Sequence, residues 1–359
     1  MVKKLIEELK FSPYPNYIYG AGYLGFQYLS LKKLGVPIAG VVIDDDYWHD
    51  GLVLGEYIVE SMMNIGVEGE INLIVGFDEA LDHIRDRIPK YVPVYKIYYL
   101  DPSSFEEEHI SYQYVLTHLT EFEQVYEFCA DELSRDVFVN FINTKITHNA
   151  TYLDKVCTRD IYFPKDILKV SNDEVFIDCG AYTGDTLLLF KKKSNDEYNR
   201  IYAFEPDKDN LKALQQTIHD NSIKNVIVHP FGVWDKKDIL EFTSPKGESQ
   251  TGSYVDGCCR HDGAMLETIS LPVDSIDSTI SIRDKVTYIK MDVEGSELKA
   301  LKGAENTIKR HKPKCAISAY HTKEDICGIP LFLKSLNPGY KIYFRQHHYV
   351  SWDMVCYAV

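Results

Sequence analysis

Three carboxylates that close apolar runs are the residues here best suited to do chemistry. Asp178 ends Val175-Phe176-Ile177 and opens Cys179-Gly180-Ala181-Tyr182-Thr183-Gly184-Asp185-Thr186, a small-residue turn followed by a polar helix start. A ligand at such a turn can accept from backbone N–H groups, and the small residues let it come close. Glu205 ends Ile201-Tyr202-Ala203-Phe204, 25 residues beyond Gly180, where a carboxylate can accept both hydroxyls of a ribose. Asp292, Glu294 and Glu297 follow Tyr288-Ile289-Lys290-Met291 and surround Gly295. A rim so rich in carboxylates suits a cationic ligand such as a sulfonium, and suits a pyrophosphate less well. His321 ends a further run, Ala316 to Tyr320. An imidazole with the ordinary pKa of about 6.5 suits a general base there, with Asp292 as its rival.

A second turn, Tyr19-Gly20-Ala21-Gly22-Tyr23-Leu24-Gly25, has the GxGxxG spacing, and Asp44 follows Gly25 by 19 residues. Gly20, Gly22, Gly25 and Asp44 read as a nucleotide site, or as glycines that only permit close packing of helix on strand. Asp292, Glu294, Glu297, His321 and Asp325 match no standard metal spacing, so no metal is expected to be required. Cys258-Cys259 lies in the polar stretch 244–262, read as an insertion or hairpin that shapes an acceptor pocket. His347-His348 read as surface turn residues.

These residues need scaffolds that align strand ends. Runs at 17–19, 38–43, 71–75 and 94–98, with a helix over 23–34, predict a small parallel α/β domain. From about 103 to 152 apolar residues recur every three or four positions, which predicts helices. The βα alternation then restarts, with strands at 174–178, 200–204, 225–229, 286–292, 314–319, 341–344 and 354–358. The expected fold is α/β: a Rossmann-like domain over 1–102, a helical connector over 103–165, and a doubly wound seven-stranded Rossmann-like domain over 166–359. All three acidic strand ends then fall on one sheet edge, the carboxyl edge where open α/β sheets bind ligands.

Composition agrees with an ordinary globular protein: of 359 residues 45% are hydrophobic and 26% charged. Thirty-nine basic against 54 acidic side chains leave −15, which argues against nucleic acid and anionic lipid as partners. No apolar run is long enough to span a bilayer, and residues 1–11 read as an amphipathic helix rather than a signal peptide. Eight scattered cysteines without a CxxC pair read as reduced thiols of a cytoplasmic protein.

From about Leu133 onward the sequence resembles the FkbM-type family of S-adenosylmethionine-dependent methyltransferases. The resemblance rests on Asp178 to Thr186, Phe204-Glu205-Pro206, Lys290 to Glu297 and Leu301-Lys302-Gly303-Ala304, with Tyr162-Phe163-Pro164 and Ala319-Tyr320-His321 as further landmarks. It implies that Asp178, Gly180, Ala181, Tyr182 and Gly184 bind the methionine portion of S-adenosylmethionine. It implies too that Glu205 takes the ribose hydroxyls and that Gly232, Val233 and Trp234 neighbour the adenine. Asp292 would sit beneath the sulfonium beside the acceptor, a small molecule or glycan with a hydroxyl to methylate. The first domain would then recognise a nucleotide-linked part of the acceptor or hold a homodimer together. Two other readings are an NAD(P)-dependent or nucleotide-sugar enzyme built on the GxGxxG turn, and a non-catalytic S-adenosylmethionine-binding protein. The first of these lacks a Tyr-x-x-x-Lys pair after its turn.

Overall fold

The computed structural model describes residues 2–66, 69–90, 92–101, 110–245 and 266–359. The chain groups into two compact units. Unit 1 comprises Met1–Leu119, Arg135–Arg159 and Gln346–Trp352, and unit 2 Thr120–Ser134, Asp160–Arg345 and Asp353–Val359. The expected connector, 103–165, is therefore not a body of its own. Its helices are α4 (Tyr112–Thr117), α5 (Leu119–Phe128), α6 (Glu132–Thr147) and α7 (Thr151–Asp154), and they are shared between the units. Side-chain burial explains the division. Just after α5, the Ala130 amide donates to the carbonyl of Ile342 within unit 2, whereas Ala150 joins the unit 1 core and its amide donates to Tyr99.

Unit 1 begins with α1 (Val2–Lys10) and is built on a six-stranded sheet. Its strands are β1 (Asn16–Tyr19), β2 (Gly40–Ile43), β3 (Val53–Leu54), β4 (Tyr57–Ser61), β5 (Ile71–Val75) and β6 (Val94–Tyr98), in the order β3-β4-β2-β1-β5-β6. The helices α2 (Tyr23–Tyr28) and α3 (Leu81–Arg87) are short, and α2 continues as a 3₁₀ segment to Leu34. The hairpin β3–β4 was not foreseen, because Gly55-Glu56 punctuates a run too short to alternate clearly. In the GxGxxG turn, packing accounts for two of the glycines. Gly20 has φ +123°, and a side-chain carbon on Gly25 would stand 2.0 Å from the Gly20 carbonyl oxygen. Asp44, the expected ribose acceptor, instead accepts from the Tyr19 hydroxyl and from the Arg87 guanidinium. His347 is also not a surface residue: it is buried, with Nδ1 3.1 Å from the Thr158 carbonyl. The Gln346 amide ties that loop together by donating to the carbonyls of His348, Val350 and Trp352.

Unit 2 carries the seven strands expected of it. They are β7 (Val175–Cys179), β8 (Arg200–Phe204), β9 (Val226–His229), β13 (Tyr288–Met291), β14 (Lys314–Ser318), β15 (Ile342–Gln346) and β16 (Met354–Ala358). The order β15-β16-β14-β13-β7-β8-β9 reverses direction of travel between β7 and β13. Pairing is parallel from β9 through β14, and β16 runs antiparallel to β14. Helices α8 (Asp185–Lys193), α9 (Lys208–Asp220), α11 (Glu297–Lys302), α12 (Glu305–His311) and α13 (Asp325–Leu336) connect the strands. The remaining elements are β10 (Gly232–Val233), β11 (Asp238–Pro245), β12 (Leu266–Asp274) and α10 (Ile276–Thr279). β10, β12 and β11 form a small second sheet, in which β11 and β12 pair antiparallel, and 246–262 of the stretch read as an insertion or hairpin lies outside the described residues. Cys258-Cys259 lies outside the described residues. A core of Phe176, Phe190, Tyr288 and Phe163, with stacked and edge-on rings, backs β7 and β13 and fixes the strand ends that follow.

Candidate active site

The reversal of strand order leaves a crevice at the carboxyl ends of β7, β8 and β13, where such sheets bind ligands. A cleft of about 390 Å³ occupies it, a volume within the range of small-molecule sites. Gly180, Tyr182, Glu205, Gly232, Val233, Trp234 and Asp292 all line it, as the sequence predicted. Tyr162, Lys290 and Asn210 line it too, and were not singled out in advance. Leu271 and Val273 of β12 add an apolar wall.

The turn after β7 is shaped by three residues with positive φ: Gly180 at +78°, Tyr182 at +47° and Gly184 at +91°. Gly180 is there because the neighbouring strand leaves no room: a Cβ would lie 1.9 Å from the Asp292 carbonyl oxygen. The Asp292 amide donates to the Cys179 carbonyl, so the ends of β7 and β13 are laced together at this point. Two bulky residues elsewhere on the cleft wall, Tyr162 and Glu294, also hold positive φ, at +59° and +53°. Left-handed backbone at non-glycine residues is costly and gathers at functional sites.

Asp178, Ala181 and Gly184 do not reach the cleft. The register of β13 on β7 sets Lys290 directly beside Asp178, and the two side chains pair at 3.1 Å with Asp178 fully buried. Burial pushes Asp178 above the usual carboxylate range, and the Lys290 ammonium opposes it. Lys290 is raised despite burial, because Asp178 and Asp292 both favour its charge. The ammonium also donates to the Gly180 carbonyl at 2.7 Å and so ties the ion pair to the turn. Ala181 is fully buried in the core, and Gly184 packs against Leu214 and Thr217 of α9.

Glu205 is 5% exposed and accepts from the amides of Tyr182 and Asp207, at 2.8 and 2.9 Å. Burial pushes its carboxyl up to about 6, against the lowering effect of those amides. Oε1 also accepts from the Asn210 side chain, at 3.5 Å, while Oε2 keeps a lone pair for a ligand hydroxyl, the chemistry a ribose needs.

Asp292 accepts from the Tyr162 hydroxyl at 2.7 Å. Tyr162 is itself clamped: its amide donates to the Tyr357 hydroxyl at 3.0 Å and its carbonyl accepts from the Tyr288 hydroxyl. Burial opposes the charge on Asp292, but Lys290, His321 and the Tyr162 hydrogen bond hold its pKa below the ordinary carboxylate value. His321 stands among three carboxylates, 2.9 Å from Glu297, 3.6 Å from Asp292 and 3.6 Å from Glu294. Burial alone would lower its pKa, yet these neighbours raise it to about 10. Those carboxylates favour the protonated imidazole, while Asp292 is held in its ionised form. Asp325, at the start of α13, is buried; burial and Glu297 push it up to about 7. Although their sequence spacing fits no metal signature, Asp292, Glu297 and His321 converge, each offering a ligand atom within 4.8 Å of the others.

The doubly wound sheet, the glycine turn after the first strand and the acidic residue after the second define a Rossmann-like fold. Residues 178–348 match the family model described as methyltransferase FkbM domain. The crystal structure of methyltransferase FkbM from Methylobacillus flagellatus KT resembles the whole chain. It covers 100% of this chain and 93% of that one, with 21% identity and a TM-score of 0.72. Aeropyrum pernix fibrillarin, solved with natively bound S-adenosyl-L-methionine, resembles the chain only distantly. It is 10% identical over 54% of this chain and 71% of its own, with a TM-score of 0.33. No curated protein sequence matches. The cofactor of the domain is S-adenosylmethionine, and the cleft fits it: a glycine where a Cβ would clash, an under-used buried carboxylate in Glu205, and acidic walls that favour a sulfonium. Among the described residues no helix is long and apolar enough to cross a membrane.

Proposed function

We propose that the protein is a cytoplasmic O-methyltransferase acting on a sugar, a glycan precursor or a related hydroxylated small molecule. The observation that carries this reading is Asp292, an ionised carboxylate on the cleft wall, oriented by Tyr162 and held below its ordinary pKa. The bound cofactor supplies an electrophilic methyl group on a sulfonium. A neutral hydroxyl is a poor nucleophile, so the chain must orient it and take its proton. Asp292 takes that proton, oriented by the hydrogen bond that its Oδ2 accepts from Tyr162. His321 stays protonated and balances the negative charge of Glu297 and Glu294 beside it. Glu205 accepts the ribose hydroxyls, Gly180 and Tyr182 border the methionine portion, and Gly232, Val233 and Trp234 border the adenine.

Incubating the purified protein and methyl-labelled S-adenosylmethionine with cell extract, then following the label by mass spectrometry, tests the acceptor class. The label is expected on oxygen of a hydroxylated metabolite or glycan; label confined to nitrogen or carbon acceptors contradicts the proposal.

Cofactor affinity should also depend on pH through Glu205. Burial raises its pKa to about 6, above the ordinary carboxylate range, so the carboxylate is ionised at pH 7 and takes up its proton as pH falls through 6. Affinity for S-adenosylmethionine is expected to fall about tenfold between pH 7 and pH 5, from the ionised fraction alone. The Glu205→Gln variant should bind more weakly at pH 7 and lose that slope. An unchanged slope in the variant would assign the titration elsewhere.

A further inference from the structure

We infer that Asp292, Glu297 and His321 form a binding site for one divalent cation of the magnesium–manganese class, on the β13 side of the cleft, where it holds two adjacent oxygens of the acceptor. For its chemistry this rests on the methyl-transfer reading above; as a binding site it stands on geometry alone.

Divalent ions of this class bind oxygen and nitrogen ligands at about 2.1 Å, so neighbouring ligands of an octahedron lie roughly 3.0 Å apart and opposite ones roughly 4.2 Å. One ligand atom from each of Asp292, Glu297 and His321 falls within 4.8 Å of the others, so the three side chains converge on one spot.

Those same atoms lack the hydrogen bonds that burial normally demands. Asp292 Oδ1, Glu297 Oε2 and both His321 nitrogens are shut off from solvent without an aligned hydrogen bond. Glu297 is fully buried and the His321 side chain is 10% exposed. Buried polar atoms are nearly always satisfied, and several unsatisfied atoms turned on one spot indicate a ligand there. The other oxygens of the cluster are engaged: Glu297 Oε1 accepts from the Val293 amide at 2.8 Å, and Asp292 Oδ2 from Tyr162. Each carboxylate is thereby fixed through one oxygen, and its other oxygen is buried without a hydrogen bond.

Charge points the same way. Asp292, Glu294, Glu297 and Asp325 are gathered around the single imidazole, and Lys290 is already paired with Asp178. A cation relieves that excess and, when bound, takes the place of the proton on His321. Two carboxylates with one imidazole and no thiolate suit an ion that takes oxygen ligands readily, such as manganese or magnesium. Three protein ligands leave coordination positions for water or acceptor, and because Asp292 and Glu294 line the cleft, those positions face it. An acceptor with two neighbouring oxygens, a vicinal diol or a hydroxy acid, fits them, and a hydroxyl bound to the cation releases its proton more readily. That eases the proton transfer assigned to Asp292.

The test uses Mn²⁺ alone with the chelator-treated full-length protein, followed by the electron paramagnetic resonance signal of free Mn²⁺. One ion per chain is expected. Glu297→Gln, Asp292→Asn and His321→Gln should each weaken binding at least tenfold, in variants that keep the wild-type circular dichroism spectrum. Three separate variants keep the comparison available if one fails to fold. Absence of Mn²⁺ binding to wild type at millimolar ion, or unchanged binding in the folded variants, overturns the site. S-adenosylmethionine binding, measured on the same samples without metal, separates the two claims: its absence removes the methyl-transfer reading and leaves a positive Mn²⁺ result standing.

Discussion

Asp292→Asn is expected to lower kcat by about 10²–10⁴-fold, the range typical of losing a positioned proton acceptor, with little change in S-adenosylmethionine affinity. The amide keeps the size of the carboxylate and can still accept from Tyr162, so the turn at Gly180 and the backbone lacing to Cys179 should survive. What disappears is the negative charge that Lys290 and His321 hold in place. Tyr162→Phe should show a smaller loss in the same direction, since it frees the orientation of Asp292 without removing it. Steady-state kinetics with the identified acceptor, together with calorimetric cofactor binding, decide the matter. Turnover of Asp292→Asn within a few fold of wild type would exclude Asp292 as the base.

Gly180→Ala is expected to be the most disruptive single-methyl change in unit 2. At φ +78° an L-residue costs about 1–2 kcal/mol, and the added carbon would overlap the Asp292 carbonyl oxygen at 1.9 Å, which adds about 1–3 kcal/mol of overpacking. A total near 3 kcal/mol corresponds to a fall in Tm of roughly 6–12 °C for a unit of this size. Relief by movement of β13 would displace Asp292, so activity should fall even where the variant folds. Gly22→Ala is the matching control. It has open space around the added carbon and an ordinary φ of −87°, so its effect should stay within about 0.5 kcal/mol. Equal melting temperatures for the two variants would show that the close approach at Gly180 is not a constraint.

The strand ends were legible in the sequence because each is an apolar run closed by a carboxylate, and such runs in a parallel sheet are buried on both faces. That pattern located Glu205 and Asp292 on either side of β7. It could not tell which side chain at a strand end faces the cleft and which faces a neighbouring strand. Asp178 was expected at the ligand and lies against Lys290 instead, since only the register of β7 on β13 brings those two together. His321 was legible as a strand-end histidine, but the carboxylates that favour its proton, Glu297 and Glu294, reach it only through the fold. Tyr162 stands 130 positions from Asp292 in the chain, and its role rests on clamping by Tyr288 and Tyr357, which no local spacing reveals. In unit 1 the GxGxxG spacing was read correctly as a strand-to-helix turn, yet Gly20 and Gly25 are explained by backbone contact and Asp44 by Arg87 and Tyr19.

The central claim is that the cleft bounded by Gly180, Glu205 and Asp292 holds the methyl donor, and calorimetric titration of wild type and Glu205→Ala with S-adenosylmethionine tests it most directly. One molecule per wild-type chain is predicted, with affinity at least tenfold weaker in a Glu205→Ala protein that retains its melting temperature. Absence of binding to wild type, or equal affinity in the two proteins, would contradict the account.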